Sequence, residues 1–433
     1  MLLILYTWFS YFLLPFYFLR LIIRGIQDKG HLDRWNERLG ICHLSRPKQN
    51  VIWIHAVSVG EVNALMPLLR SIIDQYEDFE ILVTTSTLTG SNLLKSKIGD
   101  RIKHQYLPID IPSFINNFLS FWNPSILIIM ETEIWPNLIS CCKKKEIYTV
   151  LVNARLSELS LNKYKYIKSL ISDSISNLGM ILTQYESDKK RFKELSSELK
   201  NIEVCGNLKF DYEVPSEIKI IAESIRQEWS VQGVHRPTLI AASTHEGEEE
   251  IVLEAFTEIL KSYKHALLIL VPRHPERFNK VLKKVLSTNL VTARRSLNED
   301  VTPLTQVILG DTMGELSLLY SVSDLAFIGG SLIDHGGQNF LEPASLSKAL
   351  CSGPSLRNFE EISNLLLERK ALKIVSDKTD LKEHFETLIS FNDLLTRAGE
   401  AANEVFLSNK GASNKVLKKL EPHLKQSLKI SKV

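Results

Sequence analysis

Several signatures are missing from this chain, and each absence narrows the reading. No strand-like run is followed by G-x-G-x-x-G, the dinucleotide fingerprint, and no G-x-x-x-x-G-K-[ST] marks a P-loop. No D-x-D occurs, and Glu131-Thr132-Glu133 offers only two hard ligands, so a metal-free site with no cofactor is expected. The five cysteines (Cys42, Cys141, Cys142, Cys205, Cys351) contain no C-x-x-C. That spells out neither a zinc site nor a disulfide framework, and reduced, mostly buried thiols are expected. Net charge is nearly absent too: +2 over 433 residues argues against a partner bound by phosphate neutralisation, so no nucleic acid is expected. Low-complexity tracts and short repeats are also absent.

Charge is missing in a second sense from Leu2 to Leu19, LLILYTWFSYFLLPFYFL, and apolar residues resume at Leu21-Ile22-Ile23 after Arg20. The run approaches the roughly 20 residues that cross a bilayer. A secretory signal places positive charge before its apolar run. Here Arg20, Arg24, Lys29, Arg34 and Arg38 all follow it. Residues 1–23 are therefore expected to anchor the chain in a membrane, with the bulk on the cytoplasmic side. Pro15 and the marginal length leave an interfacial helix as the alternative.

What is present is a globular composition, 44% hydrophobic and 24% charged, in a chain too long for one ordinary core. After Lys48, short β-rich runs alternate with helical patterns: VIWIHAV, ILVTTST, HQYLPID, SILIIM, YTVLVNA, MILTQ and IEVCGN. Such alternation predicts βαβ units and a parallel sheet. A second series follows the charged, Pro-containing stretch FDYEVPSEIK and runs TLIAAST, ALLILVP, TQVILGD, LAFIGG and KALCSG. The fold class is thus α/β: two Rossmann-like domains facing a cleft, expected at 24–212 and 213–433. Enzymes that transfer sugars from nucleotide conjugates are often built this way.

The strand ends carry the chemistry. In open α/β sheets ligands bind outside the carboxyl ends of the strands. The first strand runs into Ala56-Val57-Ser58-Val59-Gly60-Glu61, where Glu61 reads either as a reacting carboxylate or as the acid of an S-x-x-E capping box with Ser58. Glu131-Thr132-Glu133, Asn153-Ala154-Arg155 and Gly206-Asn207-Leu208-Lys209-Phe210-Asp211 supply further groups, with Lys209 as a fixed cation. In the second series, Ser243 and Glu246 again suggest a capping box, and a helix N-terminus is an anion site. Pro272-Arg273 places a guanidinium at a strand end, suited to phosphate or carboxylate. Gly310 to Leu316 and Gly329-Gly330-Ser331 offer glycines beside which a ligand can approach the backbone. Glu342 is a good acceptor for ribose or sugar hydroxyls. Four consecutive strand ends so furnished predict one site for a nucleotide with an anionic group.

Read in order, SVGE, METEIWPN, NARLS, NLKFD, STHEGEE, LILVPRHPERF, GDTMGEL, FIGGSL and GGQNFLEPA closely resemble the Kdo transferases of lipopolysaccharide synthesis. The resemblance covers nearly the whole chain. It implies a GT-B glycosyltransferase, inverting and metal-independent, at the cytoplasmic face of the inner membrane. Its members move 3-deoxy-D-manno-octulosonic acid (Kdo) from CMP-Kdo onto the lipid A precursor, lipid IVA. By the same resemblance Glu61 is the general base, and Glu131 and Lys209 stabilise the transition state. Pro272, Arg273, Met313, Gly314, Glu315, Asn339, Phe340, Leu341 and Glu342 match CMP-binding positions. Gln338 departs from relatives that carry His beside the Asn. The rival reading is a GT-B transferase using another nucleotide sugar on a membrane lipid.

Overall fold

A computed structural model describes residues 1–430. The strands divide into two seven-stranded parallel sheets. The first comprises β1 (Asn50–His55), β2 (Phe79–Thr85), β3 (Lys103–Tyr106), β4 (Pro124–Met130), β5 (Tyr148–Ala154), β6 (Met180–Thr183) and β7 (Ile202–Val204), in the order β3-β2-β1-β4-β5-β6-β7. Its strands are continuous apolar runs because both faces are covered by helices. Successive side chains alternate between two cores. Ile52, Ile54, Ile126, Ile128, Val150 and Val152 enter one, while Val51, Trp53, Leu127, Ile129 and Leu151 enter the other. Full burial of each large side chain contributes about 1.5–3 kcal/mol.

The second sheet comprises β8 (Thr238–Thr244), β9 (Leu267–Pro272), β10 (Thr292–Arg294), β11 (Val307–Leu309), β12 (Leu325–Ile328), β13 (Ala349–Ser352) and β14 (Leu372–Ile374). Its order is β10-β11-β9-β8-β12-β13-β14. In each sheet the strand order reverses beside the first strand. The switch lies between β1 and β4 in one and between β8 and β12 in the other. Those crevices are where an open α/β sheet places its ligand.

The chain divides into Met1–Asp211 with Lys410–Val433, and Tyr212–Asn409. This corrects the expected boundary of 213–433 at its far end. In the C-terminal helix Ala412–Ile430, Val416, Leu417, Leu420 and Leu424 recur at helical spacing and pack in the core of the first unit. The Asp211 carboxylate accepts from the amides of Gly411 and Ser413 and so caps that helix. The N-terminal helix runs from Leu2 to Gln27 with Pro15 inside it, slightly beyond the expected 1–23. Over Leu2–Ile26 it is long and apolar enough to cross a membrane by length and composition.

Candidate active site

Glu61 lies in the first turn of the helix Val59–Gln75, directly after β1, and is 8% exposed. Its Oε2 accepts from the amide of Val57 at 2.7 Å. Ser58 occupies the N-cap but makes no side-chain cap bond, so the expected Ser58–Glu61 capping box is not formed. The carboxylate reaches one residue further back instead, to the Val57 amide at the strand end. Burial pushes the Glu61 carboxyl up to about 8 against the pull of the Val57 amide; the Glu131 and Glu133 carboxylates add to the rise and Lys209 opposes it.

Glu131 follows β4, across the switch point from Glu61, and has φ +55°. A non-glycine residue in that region is strained, by about 1–3 kcal/mol. Its amide donates to Val152 O at 2.9 Å, which holds the turn in place. Lys209 Nζ lies 3.2 Å from Glu131 Oε1, an ion pair off the alignment of a hydrogen bond. Two asparagines fix the lysine's backbone: Asn153 Oδ1 accepts from Leu208 N at 2.9 Å and Asn207 Oδ1 from Lys209 N at 3.0 Å. Burial also raises the Glu133 carboxyl, with the Trp135 side chain opposing it. Glu61, Glu131, Glu133 and Lys209 thus form one electrostatic cluster.

In the second unit some expected roles change. The helix after β8 starts at Glu248 with Gly247 at its N-cap, so Ser243 and Glu246 do not form the expected capping box. Glu246 pairs with Lys280 at the surface. Glu248, fully buried, accepts from the amides of His245 (2.9 Å), Gly330 (2.6 Å), Ser331 (2.9 Å) and Leu332 (3.0 Å). The amides of the glycine loop after β12 are therefore occupied from within the protein. Gly329 is required by packing: a Cβ there would lie 2.6 Å from Ser243 O. Glu249, also fully buried, takes a two-pronged ion pair from Arg277 at 2.8 and 2.9 Å. Nothing in the local sequence set these carboxylates apart from ordinary helix-start acids.

The residues expected to bind the donor all follow β9, β11 or β12, save Pro272, which ends β9 and is buried. Arg273 is exposed, and its amide donates to Thr244 O at 3.0 Å. Met313 is exposed, Gly314 has φ +86°, and Glu315 is bound by Arg295 at 2.8 and 3.1 Å. Asn339 Oδ1 accepts from Leu341 N at 3.0 Å. Phe340 and Leu341 are buried, so their side chains fill the core and are closed to a ligand. Glu342 accepts from Tyr212 OH at 3.2 Å and from Ser317, joining the short helix Leu341–Ser345 to the helix Leu316–Val322. Sequence reasoning assigned no role to His245, His274 and His335. His245 stacks on His335 at 4.3 Å and meets His274 edge-on at 5.4 Å. Gln338 Nε2 lies 3.2 Å from His245 Nε2. Burial holds His245 down at about 4, reinforced by His335, His274, Arg277 and Arg273, so its ring is neutral at pH 7.

Two doubly wound parallel units with charged groups at their switch points define a protein of the GT-B fold class. A glycosyltransferase from Rickettsia africae shares the fold at a TM-score of 0.56 and 14% identity, covering 88% of this chain and 100% of that one. So does the UDP-GlcNAc 2-epimerase from Neisseria meningitidis, at 0.60 and 15%, covering 86% and 100%. Fold alone does not choose between the two chemistries. The sequence does: the chain belongs to the 3-deoxy-D-manno-octulosonic acid transferase family. It is 39% identical over 406 residues to the Haemophilus influenzae transferase, covering 93% of this chain and 94% of that protein. The family model described as 3-deoxy-D-manno-octulosonic-acid transferase (kdotransferase) matches residues 33–212.

Proposed function

We propose that this Kdo transferase moves Kdo from CMP-Kdo to the lipid A precursor, lipid IVA, with inversion, at the cytoplasmic face of the inner membrane. The observation that carries the reading is a shielded carboxylate, Glu61, at the β1/β4 switch point with Glu131 and Lys209 in its field. In the proposed step the acceptor hydroxyl gives its proton to Glu61 as its oxygen bonds to the anomeric carbon. The bond from that carbon to the CMP phosphate breaks, and CMP leaves with the electron pair. Lys209, balanced against Glu131, supports the charge that develops, and Arg273 at the end of β9 suits the phosphate or the Kdo carboxylate. The donor contacts belong to the second unit, from Pro272-Arg273, Met313 to Glu315 and Asn339 to Glu342. The apolar N-terminal helix keeps the enzyme beside an acceptor whose headgroup lies at a bilayer surface.

The test is transfer of radiolabelled Kdo, supplied through a CMP-Kdo-forming system, to a tetraacylated lipid A precursor, with and without EDTA. Labelled lipid in both arms is the expected result. Unlabelled lipid beside a working control transferase would move the donor assignment to another nucleotide sugar.

Two further outcomes are expected. Lys209→Met should lower kcat by about 10²- to 10³-fold, the size of a lost transition-state charge partner, with the melting temperature little changed. A rate within threefold of the parent would remove Lys209 from the mechanism. The kcat/KM profile should rise with pH and level off above about 8, because Glu61 accepts a proton only once it is ionised. A profile flat from pH 6 to 9 would exclude Glu61 as the titrating base.

A further inference from the structure

The N-terminal helix does not stand away from the first unit. Its less exposed positions, Leu3, Thr7, Ser10, Leu14, Leu21 and Gly25, recur at three, four or seven residues and form one stripe along nearly the whole helix. At its start, Thr7 Oγ1 donates to Asn137 Oδ1 at 2.7 Å, and the Tyr6 hydroxyl bonds the buried carboxylate of Asp110. Asp110 also accepts from the amides of Asn137 (3.1 Å) and Leu138 (2.7 Å), so the helix is fastened to the same group that caps the helix Pro136–Lys144. Midway, Tyr11 OH and Ser113 Oγ are 3.0 Å apart. Towards the end, Phe18 meets Trp35 edge-on at 5.8 Å, and Leu32 packs so tightly on Gly25 that a Cβ there would lie 2.3 Å from its Cγ. From Tyr6 to Gly25 these contacts extend over roughly 28 Å of helix axis.

The opposite stripe, Leu5, Trp8, Phe12, Phe16, Leu19 and Ile23, is apolar and more than half exposed throughout. No acidic residue occurs before Asp28, and Arg20, Arg24 and Lys29 are exposed near the helix's end. The hydrocarbon core of a bilayer is about 30 Å thick. A helix crossing it with these contacts intact would take Asp110, Asn137 and Ser113 into the hydrocarbon with it, where unsatisfied polar groups are costly.

We propose that the N-terminal helix does not cross the bilayer but lies flat in one leaflet. Its outer stripe dips among acyl chains, its inner stripe stays on the first unit, and the following arginines and lysine meet anionic headgroups. This deepens the membrane-surface reading of the previous section and rests on it. The partner is an anionic lipid surface, and the docked helix sets the height of Glu61's unit above it.

The test uses the full chain in Cys42→Ser background, since the other four cysteines are buried. A hydrophilic Gly-Ser-Cys extension before Met1 reports the helix's start, and Lys264→Cys at an exposed position reports the body of the protein. Each is treated with a membrane-impermeant maleimide in right-side-out and inside-out vesicles. The expected result is labelling of both from the same face. Labelling of the extension from the opposite face, wholly or in part, overturns the flat orientation while leaving the membrane reading intact. In parallel, purified protein is floated with vesicles of phosphatidylglycerol and phosphatidylethanolamine. Flotation should fall about tenfold in Trp8→Ser/Phe12→Ser, whose side chains touch no core. Failure of the parent protein to float would overturn the membrane reading itself and the orientation with it.

Discussion

Glu61→Gln should abolish transfer and leave a folded protein that is more stable than its parent at alkaline pH. Glutamine keeps an oxygen for the Val57 amide, so the turn after β1 survives. What is lost is the proposed proton acceptor, and a rate loss of about 10²- to 10⁴-fold is expected from general-base removal alone. The stability effect follows from the same carboxyl. Its pKa is raised by folding, from an ordinary 4.5 to about 8, so the folded state holds the proton more tightly than the unfolded chain. That stabilisation is complete below pH 4.5 and is lost as pH rises through 8. Above pH 8 the parent carries a shielded charge that the glutamine variant lacks. Melting curves at pH 6 and 9 with a transfer assay at pH 8.5 check both halves. Activity within tenfold of the parent would displace Glu61 from its role. A variant less stable than the parent at pH 9 would disprove the linkage.

Glu248→Ala should have the largest effect on stability. It strands four backbone donors that converge on one buried carboxylate, those of His245, Gly330, Ser331 and Leu332. Each unsatisfied donor costs about 1–3 kcal/mol, with water recovering part of it. A net loss of about 4 kcal/mol is a large share of ordinary domain stability, and corresponds to a drop of roughly 8–16 °C for a unit of this size. The measurement is a thermal melt beside CMP binding by calorimetry at a temperature where the variant is folded. An unchanged melt with weakened CMP binding would make Glu248 a ligand group rather than a structural one.

The contrast between these two glutamates shows what local sequence pattern conveys. Both stand near the start of a helix that follows a strand. Periodicity located the strands, because parallel strands buried on both faces read as unbroken apolar runs. It missed β10 and β14, three-residue strands at the two edges of the second sheet, which are too short and mixed to carry a period. Pattern also suggested caps for Ser58–Glu61 and Ser243–Glu246, and neither formed. The partner of each buried carboxylate was decided by loops distant in sequence: Gly330 to Leu332 for Glu248, and Arg277 for Glu249. The same holds for Asp211, whose partners lie some two hundred residues on. Electrostatics of the Glu61 cluster were likewise invisible, since Glu131, Glu133 and Lys209 join it only through the order of strands in the sheet.

That long-range closure bears on the order in which the protein matures. Val416, Leu417, Leu420 and Leu424 complete the core around β1 and β4, yet they are translated after the whole of Tyr212–Asn409. At about 5–20 residues per second, the ribosome needs roughly 10–40 s to cover that interval. During it, the unit bearing Glu61 has an open hydrophobic seam while its apolar N-terminal helix has already emerged. The second unit can finish folding first, and the Glu61 carboxylate reaches its shielded setting only as the last helix docks. Ribosome stalling or truncation near residue 410 is therefore expected to yield a folded second unit attached to an aggregation-prone, unfinished first one.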